Sequence, residues 1–132
     1  PAAEVDRKHL RHILENVITN AVQASPVEGG VTIQVDEIRA VDADQGQTLA
    51  GQVPEEGRYL RVSVADEGPG IPEDHLEKIF EPLFTTKTRG IGLGLAITGK
   101  LIEVNRGWIA VESEEGRGTV FHIHVRAAKG RQ

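Results

Sequence analysis

Across residues 6–25, the apolar positions Leu10, Ile13, Leu14, Val17, Ile18 and Ala21 recur at steps of three and four, the spacing of one buried helix face. This predicts an amphipathic helix, closed by Pro26 and the Gly29-Gly30 pair. The period then changes to two. "VTIQVDEI" (31–38) and "RYLRVSVAD" (58–66) alternate as strands, the second with Leu60, Val62 and Val64 on one face. Between them, residues 41–57 are polar, acidic and glycine-containing, and read as a surface loop without function. "PEDHLEKIF" opens with proline and two acids, residues suited to a first turn, and predicts a short helix. Residues 81–89 read as irregular, and a second long helix is predicted from Gly92 or Leu93 to about Asn105, with Ile97, Leu101 and Val104 on one face. Residues 108–113 and 119–125 pair as a hairpin around "EEGRG". Helix, two strands, two helices and two strands predict an α+β two-layer sandwich: a mixed, mostly antiparallel sheet with helices packed on one face.

Composition narrows the picture only a little. At 132 residues, 39% hydrophobic and 27% charged, the chain is one globular domain. It opens "PAAEVD" without a methionine and reads as a fragment of a longer protein. No apolar run approaches the roughly 18 residues of a membrane span, and no signal-peptide pattern opens the chain. The absence of cysteine excludes disulfides and thiolate metal sites. A net charge of −5 argues against general nucleic-acid binding.

Three features could carry chemistry. Asn16, Asn20 and Gln23 fall within one narrow arc of the first helix, beside its apolar arc. Asparagine is a mediocre helix former, so the stripe is either a solvated face or a set of amide oxygens for a cation or phosphate; such oxygens suit Mg²⁺. In "VADEGPGIP", strand parity turns Asp66 to the buried face of Leu60, Val62 and Val64, where a carboxylate needs a donor. Gly68 and Gly70 follow, where the backbone can turn tightly or admit a flat ligand. An exocyclic purine amine would satisfy Asp66, and so would an Asx-type turn.

The third feature is "GIGLGLAITGKL" (90–101). Its end fits a P-loop except that Leu101 stands where Ser or Thr should hold Mg²⁺, and the preceding "FTTKTRG" is no buried strand. The dinucleotide fingerprint fails too, because Leu95 and Ile97 stand where glycine is required. What remains is a glycine-rich loop feeding a helix N-terminus, a generic anion site, with Lys87 and Arg89 just before it.

Together these stretches resemble the ATP-binding catalytic domain of bacterial sensor histidine kinases, a branch of the GHKL superfamily, over nearly the whole chain. "HILENVITNAVQA" resembles the family's asparagine box, "DEGPGIP" its first glycine box, "IFEPLFTTK" its phenylalanine box, "GIGLGLAI" its second glycine box and "GRGT" its third. The short lid between Phe84 and Gly90 is similar to that of nitrogen-regulation-type sensor kinases. The resemblance implies a Bergerat-type fold that binds ATP and Mg²⁺. It implies that Asn20 and Asn16 hold Mg²⁺, that Asp66 accepts from the adenine amine, and that Gly68 and Gly70 let adenine lie close. Gly90, Gly92 and Gly94 would hinge the lid and present amides to phosphate. Thr119 would line the adenine end, Phe80 and Phe84 would anchor the lid, and Ile71, Leu93 and Leu95 would complete the ATP site. Gln23 stands where many members carry lysine, which moves phosphate charge to Lys87 or Arg89. Ile91 replaces the usual Thr or Ser, and "NRG" (105–107) replaces the commoner His-Gly-Gly.

Hydrolysing members of the superfamily carry a glutamate base four residues before the key asparagine. Here that position is Asn16, which takes no proton at neutral pH, and Glu15 lies about 100° away on the helix. The resemblance therefore implies a protein histidine kinase domain of two-component signalling, with Asn16, Asn20 and Lys87 as its catalytic set. None of the five histidines, His9, His12, His75, His122 and His124, is followed by an acid. The acceptor histidine would then lie on a dimerisation domain N-terminal in the parent chain, with a response regulator downstream. A cytoplasmic location follows, in a parent that is either soluble or membrane-anchored, with no membrane or nucleic-acid contact by this segment. A hydrolysing ATPase module and a non-catalytic ATP-sensing domain remain the alternatives. His122 with His124, and His9 with His12, have a zinc reading, but no third ligand is evident.

Overall fold

The computed structural model describes residues 3–4, 6–25, 29–43, 47–71 and 91–127. The short helix expected at 72–80, the irregular stretch at 81–89, and Pro26, His75, Phe80, Phe84, Lys87, Arg89 and Gly90 lie outside the described residues.

The first helix, α1, spans Arg7–Ala24. Asp6 caps it, its carboxylate accepting from the backbone amides of Lys8 at 2.9 Å and His9 at 3.1 Å. These bonds, that of His9 foremost, hold the Asp6 carboxyl below its ordinary value. Ile13, Val17 and Ala21 are buried, and Leu10, Leu14 and Ile18 pack at the margin of the same core.

The strands are β1 (Ala3–Glu4), β2 (Val31–Arg39), β3 (Gln47–Gly51), β4 (Arg58–Asp66), β5 (Trp108–Glu114) and β6 (Gly118–Ala127). They form one sheet in the order β2-β4-β6-β5-β3, with β1 beside the end of β6. Every pairing among the described strands is antiparallel, so the sheet is more regular than the mixed one expected. In the centre, Val62 lies between Val35 and Ile123, and Val64 between Ile33 and Phe121. Leu60, Val64, Ile109, Val111, Phe121, Ile123 and Val125 face the helices and join the α1 residues and Ile102 in one core.

Two expectations change. The stretch 41–57 is not wholly loop. After a 3₁₀ turn at Ala40–Asp42, β3 pairs with β5 as an edge strand, with a register shift between Thr48 and Ala50. The local sequence "QTLAG" carries no strand pattern; the partner strand supplies the pairing. The second helix, α2 (Ile91–Val104), forms as predicted, but Ile97 and Val104 are 45% and 68% exposed. Leu101 packs at the margin of the core as expected, and among the described side chains of α2 the buried arc is Thr98, Gly99 and Ile102. No helix among the described residues is long and apolar enough to cross a membrane.

The sheet face away from the helices carries a second, smaller cluster. The segment 40–43 folds over it, so that Ala40, Tyr59 and Trp108 are buried together with Ile38 and Ala43 at their margin. Tyr59 meets Trp108 edge-on, and Trp108 stacks flat on the His124 ring at 4.0 Å between centroids.

Candidate functional site

The two helices are tied through polar side chains. At one end, Asn105 Oδ1 accepts from the Asp6 amide at 2.9 Å, while its Nδ2 donates to the Leu101 carbonyl and faces His9 Nδ1 at 2.9 Å. Further along, Asn16 Nδ2 donates to Thr98 Oγ1 at 3.0 Å. Seven residues forward on α1 thus match seven backward on α2, which makes the helices antiparallel neighbours. With about 1.5 Å of rise per residue in both, the same register sets Asn20 level with Gly94 and Gln23 level with Ile91.

The C-terminal end of α1 also meets the turn that leaves β4. The Glu67 amide donates to Ser25 Oγ at 3.2 Å. A side chain on Gly68 would sit 2.5 Å from the Ala24 carbonyl oxygen, so close approach to the helix end requires glycine there. Gly70 has φ +81, and a side chain on it would strike the Glu114 carbonyl oxygen. Both glycines therefore have a reason within the protein itself.

Asp66 is buried at 7% exposure, as strand parity predicts. Its Oδ1 accepts from the Gly68 amide at 2.8 Å and the Thr119 amide at 3.2 Å. Among the described residues both donors fall on Oδ1 and none on Oδ2. The Asx-type turn and the ligand reading are thus compatible: one oxygen closes the turn, and the other keeps its acceptor capacity.

The following residues are pinned by a hydroxyl that the sequence reading missed. Ser113 Oγ accepts from the Ile71 amide at 2.7 Å, lies 2.8 Å from Thr119 Oγ1 and donates to the Gly118 carbonyl at 3.2 Å. Thr98 was missed as well. Both are small hydroxyl residues within apolar patterns, and only the fold reveals their partners; the amide stripe on α1 was the one signal that pointed toward Thr98.

The structure gathers some predicted site residues and not others. Asn16 and Asn20 are half-buried on the side of α1 toward α2, and Gln23 is exposed. Asp66, Gly68, Gly70 and Ile71 form the turn beside the C-terminal end of α1, and buried Thr119 closes it from β6. The backbone of Gly92, Leu93, Gly94 and Leu95 forms the first turns of α2 at the same end. Lys87, Arg89 and Gly90 fall outside the described residues. Glu15 is exposed, as its place on the helix predicts.

Three of the paired histidines, His9, His122 and His124, have partners of their own. His122 and His124 share the face away from the helices, opposite Phe121, Ile123 and Val125. His122 lies 2.8 Å from Ser63 Oγ through Nδ1 and 2.6 Å from a Glu112 carboxylate oxygen through Nε2. His124 Nδ1 faces the Trp108 carbonyl at 3.1 Å. No group of three metal-ligating side chains occurs among the described residues.

Two antiparallel helices lie on an antiparallel sheet, an α+β sandwich in which amides, a carboxylate held through one oxygen and a helix N-terminus converge at one end. The sequence matches the family described as histidine kinase-, DNA gyrase B- and HSP90-like ATPases over residues 5–129, and the chain belongs to that family. It is 38% identical to sporulation kinase E of Bacillus subtilis over 93% of its length, and 35% identical to the sensory histidine kinase/phosphatase NtrB of Rhodobacter capsulatus over 93%. It spans 14% and 33% of those two relatives. Among solved structures, it resembles the nucleotide-free catalytic domain of the histidine kinase ThkA, with TM-score 0.70 and 36% identity, over 95% of this chain and 70% of that one. It also resembles full-length ShkA in complex with AMPPNP, with TM-score 0.72 and 32% identity, over 97% of this chain and 24% of that one.

Proposed function

We propose that this chain is the catalytic and ATP-binding domain of a sensor histidine kinase, one domain of a longer cytoplasmic or membrane-anchored protein. It binds ATP between the C-terminal half of α1, the turn at 66–71 and the N-terminus of α2. Asp66 accepts from the adenine amine through Oδ2 while Oδ1 stays on Gly68 and Thr119. Thr119 and Ile71 line the adenine end, and the amides of Gly92 and Gly94 at the start of α2 face phosphate. Asn16 and Asn20 hold Mg²⁺ through their amide oxygens, where the ion would neutralise charge on the phosphates. Lys87 and Arg89 supply positive charge that Gln23 does not. ShkA, which shares this fold, was solved with AMPPNP, and that supports the nucleotide reading.

One observation favours phosphoryl transfer to a protein over hydrolysis. The residue four before Asn20 is an amide tied to Thr98, and the neighbouring carboxylate, Glu15, is exposed on another side of α1. Among the described residues, no carboxylate stands at the position four before Asn20, and a site without a base there suits an acceptor that brings its own nucleophile, here a histidine on a separate dimerisation domain. A response regulator would then receive the phosphoryl group. Incubation with γ-labelled ATP tests this. The chain alone should bind nucleotide without becoming labelled, and should label a histidine when its parent's dimerisation helices are supplied. Rapid phosphate release without acceptor would establish the ATPase instead, and binding without labelling in either case would establish a sensing module.

A further inference from the structure

We propose that Thr98 is a positioning residue for cation binding: its buried hydroxyl fixes which pole of the Asn16 amide faces the ion. The inference rests on the role given to Asn16 above and extends it to a residue on the other helix. An asparagine side chain has two poles of nearly equal size, a carbonyl oxygen and an NH₂. A hard divalent cation accepts only the oxygen. An Asn16 that turned over would present N–H bonds to the ion and abolish its contribution, so a site built on this amide needs an orientation lock.

The geometry supplies one. Asn16 Nδ2 donates to Thr98 Oγ1 at 3.0 Å, and Thr98 is fully buried. A threonine hydroxyl inside a helix can donate to a carbonyl about one turn back, and in that rotamer its lone pairs face a neighbour. Those lone pairs accept from an NH₂ and repel a carbonyl oxygen. The nitrogen of Asn16 is thereby held on the α2 side, and its oxygen is directed away from it. Thr98 also stands one helical turn beyond Gly94, so the same bond ties the cation amide to the helix whose first turns face phosphate.

The test compares Thr98→Val, which keeps the shape and removes the hydroxyl, with Thr98→Ser, which keeps the hydroxyl. ADP binding to this chain is measured by calorimetry in EDTA and across a Mg²⁺ titration. Thr98→Val should require about five- to tenfold more Mg²⁺ for half-maximal enhancement, as expected for one lost hydrogen bond. Its metal-free ADP affinity should stay within about twofold of the parent, and Thr98→Ser should match the parent in both measurements. A purely structural role for Thr98 would move both affinities together. In the parent chain, the Asn16 side-chain amide protons should be protected from exchange in NMR spectra; rapid exchange would overturn the proposal even if Thr98→Val failed to fold. An unchanged Mg²⁺ requirement in Thr98→Val, with Asn16→Ala impaired, would overturn the Thr98 role alone. A parent chain without any Mg²⁺ dependence would overturn it together with the reading of Asn16.

Discussion

His124 makes the stability of this domain depend on pH in a defined window. Burial drives its imidazole from an ordinary value of 6.5 down to about 4, with smaller opposition from its bond to the Trp108 carbonyl and smaller support from His122 and Arg61. The ring is 2% exposed, stacked on Trp108 and opposite Arg61 in the sheet. Because the folded value is depressed, the unfolded chain binds more protons between the two values, and stability falls as pH drops from 6.5 toward 4. The difference of roughly 2.5 units corresponds to about 3 kcal/mol at 1.36 kcal/mol per unit. Asp36, held below its ordinary 3.8 chiefly by its hydrogen bonds to Arg61, loses its contribution in the same direction, but only below that value, so the two windows separate. The assay is urea unfolding at half-unit steps from pH 7.5 to 4, for the parent chain and for His124→Phe, which keeps a ring against Trp108 and cannot titrate. The parent should lose about 3 kcal/mol more than the variant over that range. Parallel curves for the two proteins would refute the claim that buried His124 stays neutral.

Other predictions follow from local geometry. Arg106 has φ +64 at the end of α2, where its amide bonds to the Glu103 carbonyl and the Gly107 amide to the Ile102 carbonyl, a Schellman motif that favours glycine. Arg106→Gly should raise stability by about 0.5–1 kcal/mol, the left-handed strain relieved less the freedom glycine adds to the unfolded chain; an unchanged urea midpoint would contradict this. Ser113→Ala leaves the Ile71 amide without its acceptor and should cost about 1–3 kcal/mol, together with weaker ADP binding. Unaltered stability and affinity would show that the turn does not depend on this hydroxyl.

The periodic elements were legible because their burial follows their period. α1 and β4 to β6 lie where the sequence places them, and Asp66 turned inward by parity alone. β3 was hidden because "QTLAG" owes its strand conformation to β5 rather than to its own pattern. On α2, hydropathy pointed to Ile97, Leu101 and Val104; of these Leu101 packs at the margin of the core, and the arc that turns inward carries Thr98, whose polarity is met by Asn16. His122 and His124 were placed on the correct face, but parity cannot show that residues 40–43 fold over that face beside Trp108. The site followed the same division. The sequence names candidate site residues in short boxes, whereas the bonds of the Thr98 and Ser113 hydroxyls depend on partners 82 and 42 residues away in sequence.

The central claim is that Asp66 reads the adenine ring, and Asp66→Asn isolates it. An asparagine can keep the Gly68 and Thr119 amides on its oxygen and replace only Oδ2, setting an NH₂ against the adenine amine. Calorimetric titration with ADP should show affinity reduced about tenfold or more, the scale of a lost hydrogen bond to a charged group, with the thermal midpoint little changed. Undiminished ADP affinity in a folded Asp66→Asn protein would contradict the account.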